Sequence, residues 1–319
     1  MKLLIVFNHP APYKVKLFNE LSKTNEIDVI FERTNAKDRN GKFYYEKNYL
    51  FNLIFLKGIP LGKENFYSKK IKSYLKNNAK KYDAIIMNGY STFAEMKAIN
   101  FLIKKEIPYI LMVNGGVIRN DLCIKKYLKR KYISHAQKYF SPNIESDNYL
   151  IHYGANKSNI CRYVHSNISQ KDIKNVANLP LKYNNSFISV GSFTKRKNNM
   201  QLIKLFSNID ETLLLVGGGP LKKKYVNYIK SHNIQNIKIL EYMEHQKLLE
   251  LMQNSKALIS LSKEDIFGHT IYEALASGIP VISSDKILSA LHIIKNEYNV
   301  KVNTSCMPLE LSEQADFAV

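Results

Sequence analysis

The chain has 319 residues, 45% of them hydrophobic, and carries 47 Lys and Arg against 27 Asp and Glu for a formal charge of +20. This length and apolar content exclude a disordered tail and a disulfide-stapled miniature, and set two domains of ordinary size as the expectation. The basic excess is uneven: residues 1–165 hold 29 basic and 13 acidic side chains (+16) and residues 166–319 hold 18 and 14 (+4), so an anionic partner is expected at the first half.

The opening run Met1-Lys2-Leu3-Leu4-Ile5-Val6-Phe7 is short for a signal-peptide core, lacks a small-residue cleavage site, and predicts a buried strand over 2–7. Apolar runs predict further strands at 26–32, 53–57, 83–88 and 109–113, then 187–191, 211–216, 236–240, 256–261 and 280–283. Helical periodicity falls between them at 13–23, 68–80, 92–105, 121–137 and 143–152, then 199–207, 221–232, 245–254, 270–277 and 286–295. Uninterrupted strands such as Leu213-Leu214-Leu215-Val216 predict a parallel sheet covered on both faces. Strand–helix alternation of this kind predicts an α/β, doubly wound fold, with ligands at the carboxyl ends of the strands. The alternation restarts near 187 after a polar stretch, which gives domains 1–165 and 187–319 joined by a linker at 166–186, with a cleft between them. No segment approaches the roughly 18 apolar residues of a membrane span. Cys123, Cys161 and Cys306 lack metal or disulfide spacing, and a reducing cytoplasm is the expected setting.

Three strand-to-helix turns in the second half carry chemistry. Gly191, in Val190-Gly191-Ser192-Phe193-Thr194-Lys195-Arg196-Lys197, allows close backbone approach, and Arg196 and Lys197 place fixed positive charge at a helix start, which suits a diphosphate or makes a solvated basic turn. Val216-Gly217-Gly218-Gly219-Pro220 is either a tight turn or a ligand contact. Asp265 and Glu273 stand eight residues apart, around Ile266-Phe267-Gly268 and a helix start. Asp265 either answers the helix dipole or meets a ligand; Glu273 lies in an otherwise buried-looking segment and needs a partner, which a ribose hydroxyl pair would supply.

In order and spacing these motifs, with Gly278-Ile279-Pro280-Val281-Ile282, resemble family 4 glycosyltransferases over about residues 187–283. The resemblance implies the GT-B fold, two Rossmann-like doubly wound domains facing across a cleft, and transfer of a sugar with retention from a nucleotide-sugar donor (UDP- or GDP-linked) to an acceptor hydroxyl. It implies that Arg196 and Lys197 grip the donor diphosphate and act with Asp265 in catalysis, Asp265 lying near the sugar hydroxyls in place of the family's usual glutamate. It further implies that Ile266, Phe267 and Gly268 offer backbone N–H groups to sugar and phosphate, that Glu273 binds the ribose, and that 241–243 hold the base through backbone. No metal and no cofactor is expected.

The first half resembles bacterial polysaccharide glycosyltransferases more loosely, through the turn Asn8-His9-Pro10-Ala11-Pro12-Tyr13. There the resemblance makes domain 1–165 the acceptor side, lined by His9, Tyr13, Asn114, Gly115 and Gly116. His9 is equally read as a turn-stabilising residue, and Asn114 stands where related enzymes often carry an acid. Lysine-rich helices around 69–81 and 125–131 are either solvated faces or contacts to an anionic membrane or a lipid-diphosphate acceptor. The implied product class is capsule, lipopolysaccharide or a related surface glycan, made in the cytoplasm with peripheral contact at the inner face of the plasma membrane. The tail from Asn303 to Val319 departs from the family pattern, and a truncated C-terminal end is the expectation. Two other readings remain: a nucleotide-sugar epimerase on the same fold, and a basic nucleic-acid-binding protein, which rests on charge alone and finds no zinc-finger, RNP or helix-turn-helix pattern.

Overall fold

The computed structural model describes residues 1–35, 41–44, 47–62, 65–163, 168, 172, 186–294 and 300–302. The linker expected at 166–186 lies outside them apart from Ile168, Asp172 and Ser186, as does the tail 303–319. The chain divides into two compact units, Met1–His165 and Ser166–Val319.

The first unit begins with β1 (Lys2–Phe7), α1 (Pro12–Ser22), β2 (Glu26–Phe31) and β3 (Asn52–Phe55). A short antiparallel pair, β4 (Ile59–Leu61) and β5 (Asn65–Tyr67), precedes α2 (Lys70–Asn78), β6 (Ala84–Met87), α3 (Phe93–Lys104) and β7 (Ile110–Met112). The unit continues with α4 (Cys123–Ser134), β8 (Lys138–Ser141), α5 (Ile144–His152) and β9 (Ile160–Arg162). The second unit comprises β10 (Ser186–Val190), α6 (Asn199–Phe206), β11 (Thr212–Val216), α7 (Lys222–Ser231), β12 (Ile237–Leu240), α8 (His245–Gln253), β13 (Ala257–Ser260), α9 (His269–Ala276), β14 (Val281–Ser284), α10 (Leu288–Ile293) and β15 (Val300–Val302).

Among the described residues the two main sheets run β3-β2-β1-β6-β7-β8-β9 and β12-β11-β10-β13-β14-β15, each with every pairing parallel. Successive strand residues point to opposite faces, so each apolar run feeds two cores. Leu4 and Val6 of β1 pack into one cluster; Leu3, Ile5 and Phe7 pack into another. Ile188, Leu214 and Leu258 likewise separate from Phe187, Leu213 and Ala257 in the second unit. Burial on both faces is why these strands read as continuous rather than alternating apolar runs. In both sheets the order steps away from the first strand in two directions. This puts a topological switch point between β1 and β6 in one unit and between β10 and β13 in the other.

Candidate active site

The switch point of the second unit explains which loops meet. Arg196 and Lys197 lie on the loop after β10, and Asp265 lies on the loop after β13, the neighbouring strand. The loops are tied by the Lys263 N–H, which donates to the Arg196 carbonyl at 2.8 Å. The Lys197 ammonium donates to Asp265 Oδ2 at 2.6 Å, and the Arg196 guanidinium stands 3.5 Å from the same oxygen while donating to the Glu264 carbonyl at 2.8 Å. The Lys197 side chain is 11% exposed, Asp265 15% and Arg196 43%. Burial pushes the Asp265 carboxyl up, but Lys197, Arg196 and the Phe267 N–H together outweigh it and hold the group at about 2, ionised at any physiological pH.

Asp265 also organises the entry into α9. Its Oδ1 accepts from the N–H groups of Phe267 at 3.4 Å and Gly268 at 3.2 Å. Two of the N–H groups that the sequence assigns to sugar and phosphate are therefore turned onto this carboxylate. Gly268 enters α9 with φ 66°, a left-handed geometry that glycine adopts without strain. Phe267 is buried and stacks on Tyr272 with a 5.1 Å centroid separation and an interplanar angle of 6°, whereas Ile266 is exposed.

The glycines in the turns after β10 and β11 serve the contact between those turns. Gly217 has φ 141°, and a Cβ on it would lie 2.1 Å from the Gly191 carbonyl oxygen. The Phe193 N–H donates to the Gly218 carbonyl at 2.8 Å, and the Leu221 N–H to the Phe193 carbonyl at 3.0 Å. Gly191 itself lies beneath the Lys197 stem, where a Cβ would sit 3.1 Å from Lys197 Cε. Of the glycines in these two turns, Gly218 has open space around it.

Glu273 is the fifth residue of α9, about 6 Å along the axis from its start. It is buried, and its Oε1 lies 3.1 Å from Nε2 of His245, the first residue of α8 after β12. The two side chains are 6% and 10% exposed, so with its proton on Nε2 the imidazole donates to the carboxylate within the fold. The sequence asked for a partner to Glu273 and missed His245, which is 28 residues away and carries no local pattern that marks it. Glu241, on the loop read as the base-holding segment, pairs its carboxylate with Lys222.

The first unit contains a cavity of about 370 Å³ at its own switch point. Phe7 and Asn8 from the end of β1, Asn88 to Ser91 from the end of β6, and Val113, Asn114 and Gly115 from the end of β7 line one side. Lys125, Leu128, Lys129 and Tyr132 of α4, with Met96 and Tyr149, line the rest. Of the acceptor-side residues read from sequence, Asn114 and Gly115 border this cavity. His9 contacts the Tyr44 hydroxyl at 3.3 Å through Nδ1, Tyr13 packs against the core under β1, and Gly116 abuts Tyr149, where a Cβ would lie 2.4 Å from the ring. Asn8, which opens the turn read as acceptor-side, and Asn88, which closes the strand expected at 83–88, each stand directly after a buried strand.

Behind the Ser91 wall, Thr92 and Glu95 form a capping box at the start of α3. Glu95 Oε2 accepts from the Ser91 and Thr92 N–H groups at 2.7 and 3.0 Å, and the Thr92 hydroxyl donates to Glu32 at 2.5 Å. Both carboxyls are buried, and burial, together with Glu95 beside it, raises the Glu32 carboxyl far above the usual range. Among the described residues no cluster of three or more His, Cys, Asp or Glu side chains could hold a metal ion, and no helix is long and apolar enough to cross a membrane.

Two doubly wound units with parallel sheets are the architecture of the GT-B fold. Anabaena HepE in complex with UDP-glucose superposes with a TM-score of 0.66 at 16% identity, over 100% of this chain and 92% of that one. WaaG, a glycosyltransferase involved in lipopolysaccharide biosynthesis, does so with 0.66 at 12% identity, over 99% and 94%. Residues 170–314 match the family Glycosyl transferases group 1. An uncharacterized glycosyltransferase of Methanocaldococcus jannaschii is 25% identical over 285 residues, 85% of this chain and 76% of that protein. The chain is thus a glycosyltransferase whose second half is of the group 1 type.

Proposed function

We propose that the protein moves a sugar from a nucleotide-diphosphate sugar to an acceptor hydroxyl with retention of anomeric configuration. The observation that carries this reading is the convergence of Arg196, Lys197 and Asp265 at the switch point of the second unit. An ammonium has three N–H groups, and Asp265 occupies one of those on Lys197. The others, with the exposed part of the Arg196 guanidinium, suit a diphosphate. As the bond from the anomeric carbon to the phosphate oxygen breaks, negative charge grows on the leaving nucleotide, and fixed cations there lower the barrier without reorganising. Asp265 aims the Lys197 ammonium. The carboxylate of Glu273, steadied by His245, accepts from a hydroxyl pair such as that of a ribose.

The UDP-glucose complex of the Anabaena protein supports a nucleotide-sugar donor. In this reading the donor is UDP- or GDP-linked, and Arg196 and Lys197 neutralise its diphosphate without a metal or cofactor. The family resemblance and the likeness to the lipopolysaccharide enzyme support a place in bacterial surface polysaccharide synthesis, capsule or lipopolysaccharide, with a glycan or lipid-linked acceptor. Contact with an anionic membrane at its cytoplasmic face is supported by α4 and the residue before it, where exposed Leu122, Ile124 and Tyr127 stand among Lys126 and Arg130. The test is a thermal-shift panel of UDP, GDP and their sugars. One nucleotide should raise the melting temperature with occupancy, and Glu273→Ala should abolish the rise. A rise that survives Glu273→Ala refutes the ribose role. Conversion of the donor in the absence of any acceptor, followed by NMR, would instead identify an epimerase.

A further inference from the structure

The cavity of the first unit is built to a definite chemistry. Asn88 is 3% exposed, and among the described residues neither atom of its side-chain amide has a hydrogen-bond partner. The side-chain oxygens of Asn8 and Asn114 are buried in the same condition. All three residues line this cavity. An amide offers both a donor and an acceptor, which matches hydroxyl groups and matches neither a carboxylate nor an apolar ligand alone. Phe7, Tyr90, Tyr132 and Tyr149 supply flat apolar surface beside them, with the Tyr90 and Tyr149 hydroxyls bonded to each other and so withdrawn from any ligand. The volume falls within the range of small-molecule sites.

Charge completes the specification. Among the described residues no carboxylate lines the cavity, and two lysines do. Lys129 is committed, donating to Asp121 at 2.6 Å and lying over the Tyr149 and Tyr153 rings at 5.4 and 4.9 Å. Lys125 is exposed at the edge and makes no hydrogen bond or ion pair among the described residues.

We propose that this cavity receives the acceptor, and that the acceptor is a hydroxylated ring carrying an anionic group, phosphate or carboxylate. Its hydroxyls bond to Asn8, Asn88 and Asn114, its apolar face lies on the aromatic side chains, and its anion meets Lys125. This rests on the transferase reading and narrows its glycan or lipid-linked acceptor to one chemical class.

Saturation-transfer NMR titrations of the full chain without nucleotide test it, using glucose 1-phosphate, glucuronate, glucose and inorganic phosphate as probes. At least one of the two sugar anions should bind about tenfold or more tightly than glucose, and which one does identifies the anion as phosphate or carboxylate. Lys125→Gln should reduce that ligand to the level of glucose. Asn88→Ala should remove the binding of all three sugars, with Asn114→Ala as the second variant if circular dichroism shows that Asn88→Ala does not fold. Lys197→Met should leave the titration unchanged, because the anion is read in the first unit. Equal binding of glucose and the sugar anions, indifference to Lys125→Gln, loss with Lys197→Met, or inorganic phosphate competing as strongly as the sugar phosphate would each overturn the proposal. With nucleotide absent, a failed thermal-shift panel would sink the donor reading and leave this measurement interpretable on its own.

Discussion

Replacing Asp265 by Asn keeps the side chain's shape and removes the charge that faces Lys197 and Arg196. The carboxyl sits at about 2 against a usual 3.8, and at roughly 1.4 kcal/mol per pK unit this is a contribution of about 2 kcal/mol. A carboxyl held low in the folded chain stabilises it above the unfolded value, and that contribution fades as pH falls through the folded value. The stability gap between wild type and Asp265→Asn should therefore be full above about pH 5, close between about pH 4 and 2, and correspond near neutrality to about 4–8 °C in Tm for a unit of this size. The chain has no tryptophan, so urea unfolding is best followed by far-ultraviolet circular dichroism. A double-mutant cycle with Lys197→Met isolates the pair from the rest of the loop. A gap under about 0.5 kcal/mol at pH 7, or one that does not narrow on acidification, would refute the claim that this ion pair, rather than the loop's backbone bonds, holds the site.

Gly217→Ala should destabilise by about 2–4 kcal/mol, because it adds a Cβ 2.1 Å from the Gly191 carbonyl at a φ of 141°. Gly218→Ala, with nothing within 4 Å, should fall within about 1 kcal/mol of wild type in the same urea titration. The raised Glu32 carboxyl makes its share of stability complete in acid and lost as pH rises above the usual glutamate range. Glu32→Gln should therefore flatten the fall in Tm from about pH 5 to 9, and an unaltered slope would count against a buried protonated acid there. Transfer assayed with EDTA should match transfer without it, and a loss restored by a divalent cation would contradict charge neutralisation by Arg196 and Lys197.

The strands and helices that build the two sheets were legible because each carries an apolar run or a helical period of its own. β1, expected at 2–7, spans Lys2–Phe7, and α5, expected at 143–152, spans Ile144–His152. No sequence pattern marks β8, β9 or the β4–β5 pair, which are three or four residues long and include polar or charged positions. Strands this short are defined by the neighbour they pair with, which periodicity cannot show. The same limit applies to the site. Arg196, Lys197 and Asp265 were read together because their motifs resemble the glycosyltransferase family in order and spacing; the adjacency of β10 and β13 that brings them into contact is visible only in the fold. The roles of individual groups were harder to read. The resemblance offers the N–H groups of Phe267 and Gly268 to a ligand, and in the structure Asp265 Oδ1 accepts from both. His245 meets Glu273 only through the packing of α8 beside α9.

The backbone contact between the turns after β10 and β11 has a practical consequence for redesign. Positions 191 and 217 are locked against each other by atoms that no substitution can trim, so the two turns shift as one piece or not at all. Libraries meant to retune which nucleotide sugar is accepted should hold both glycines fixed. Diversity belongs at 218, where a new side chain has open space.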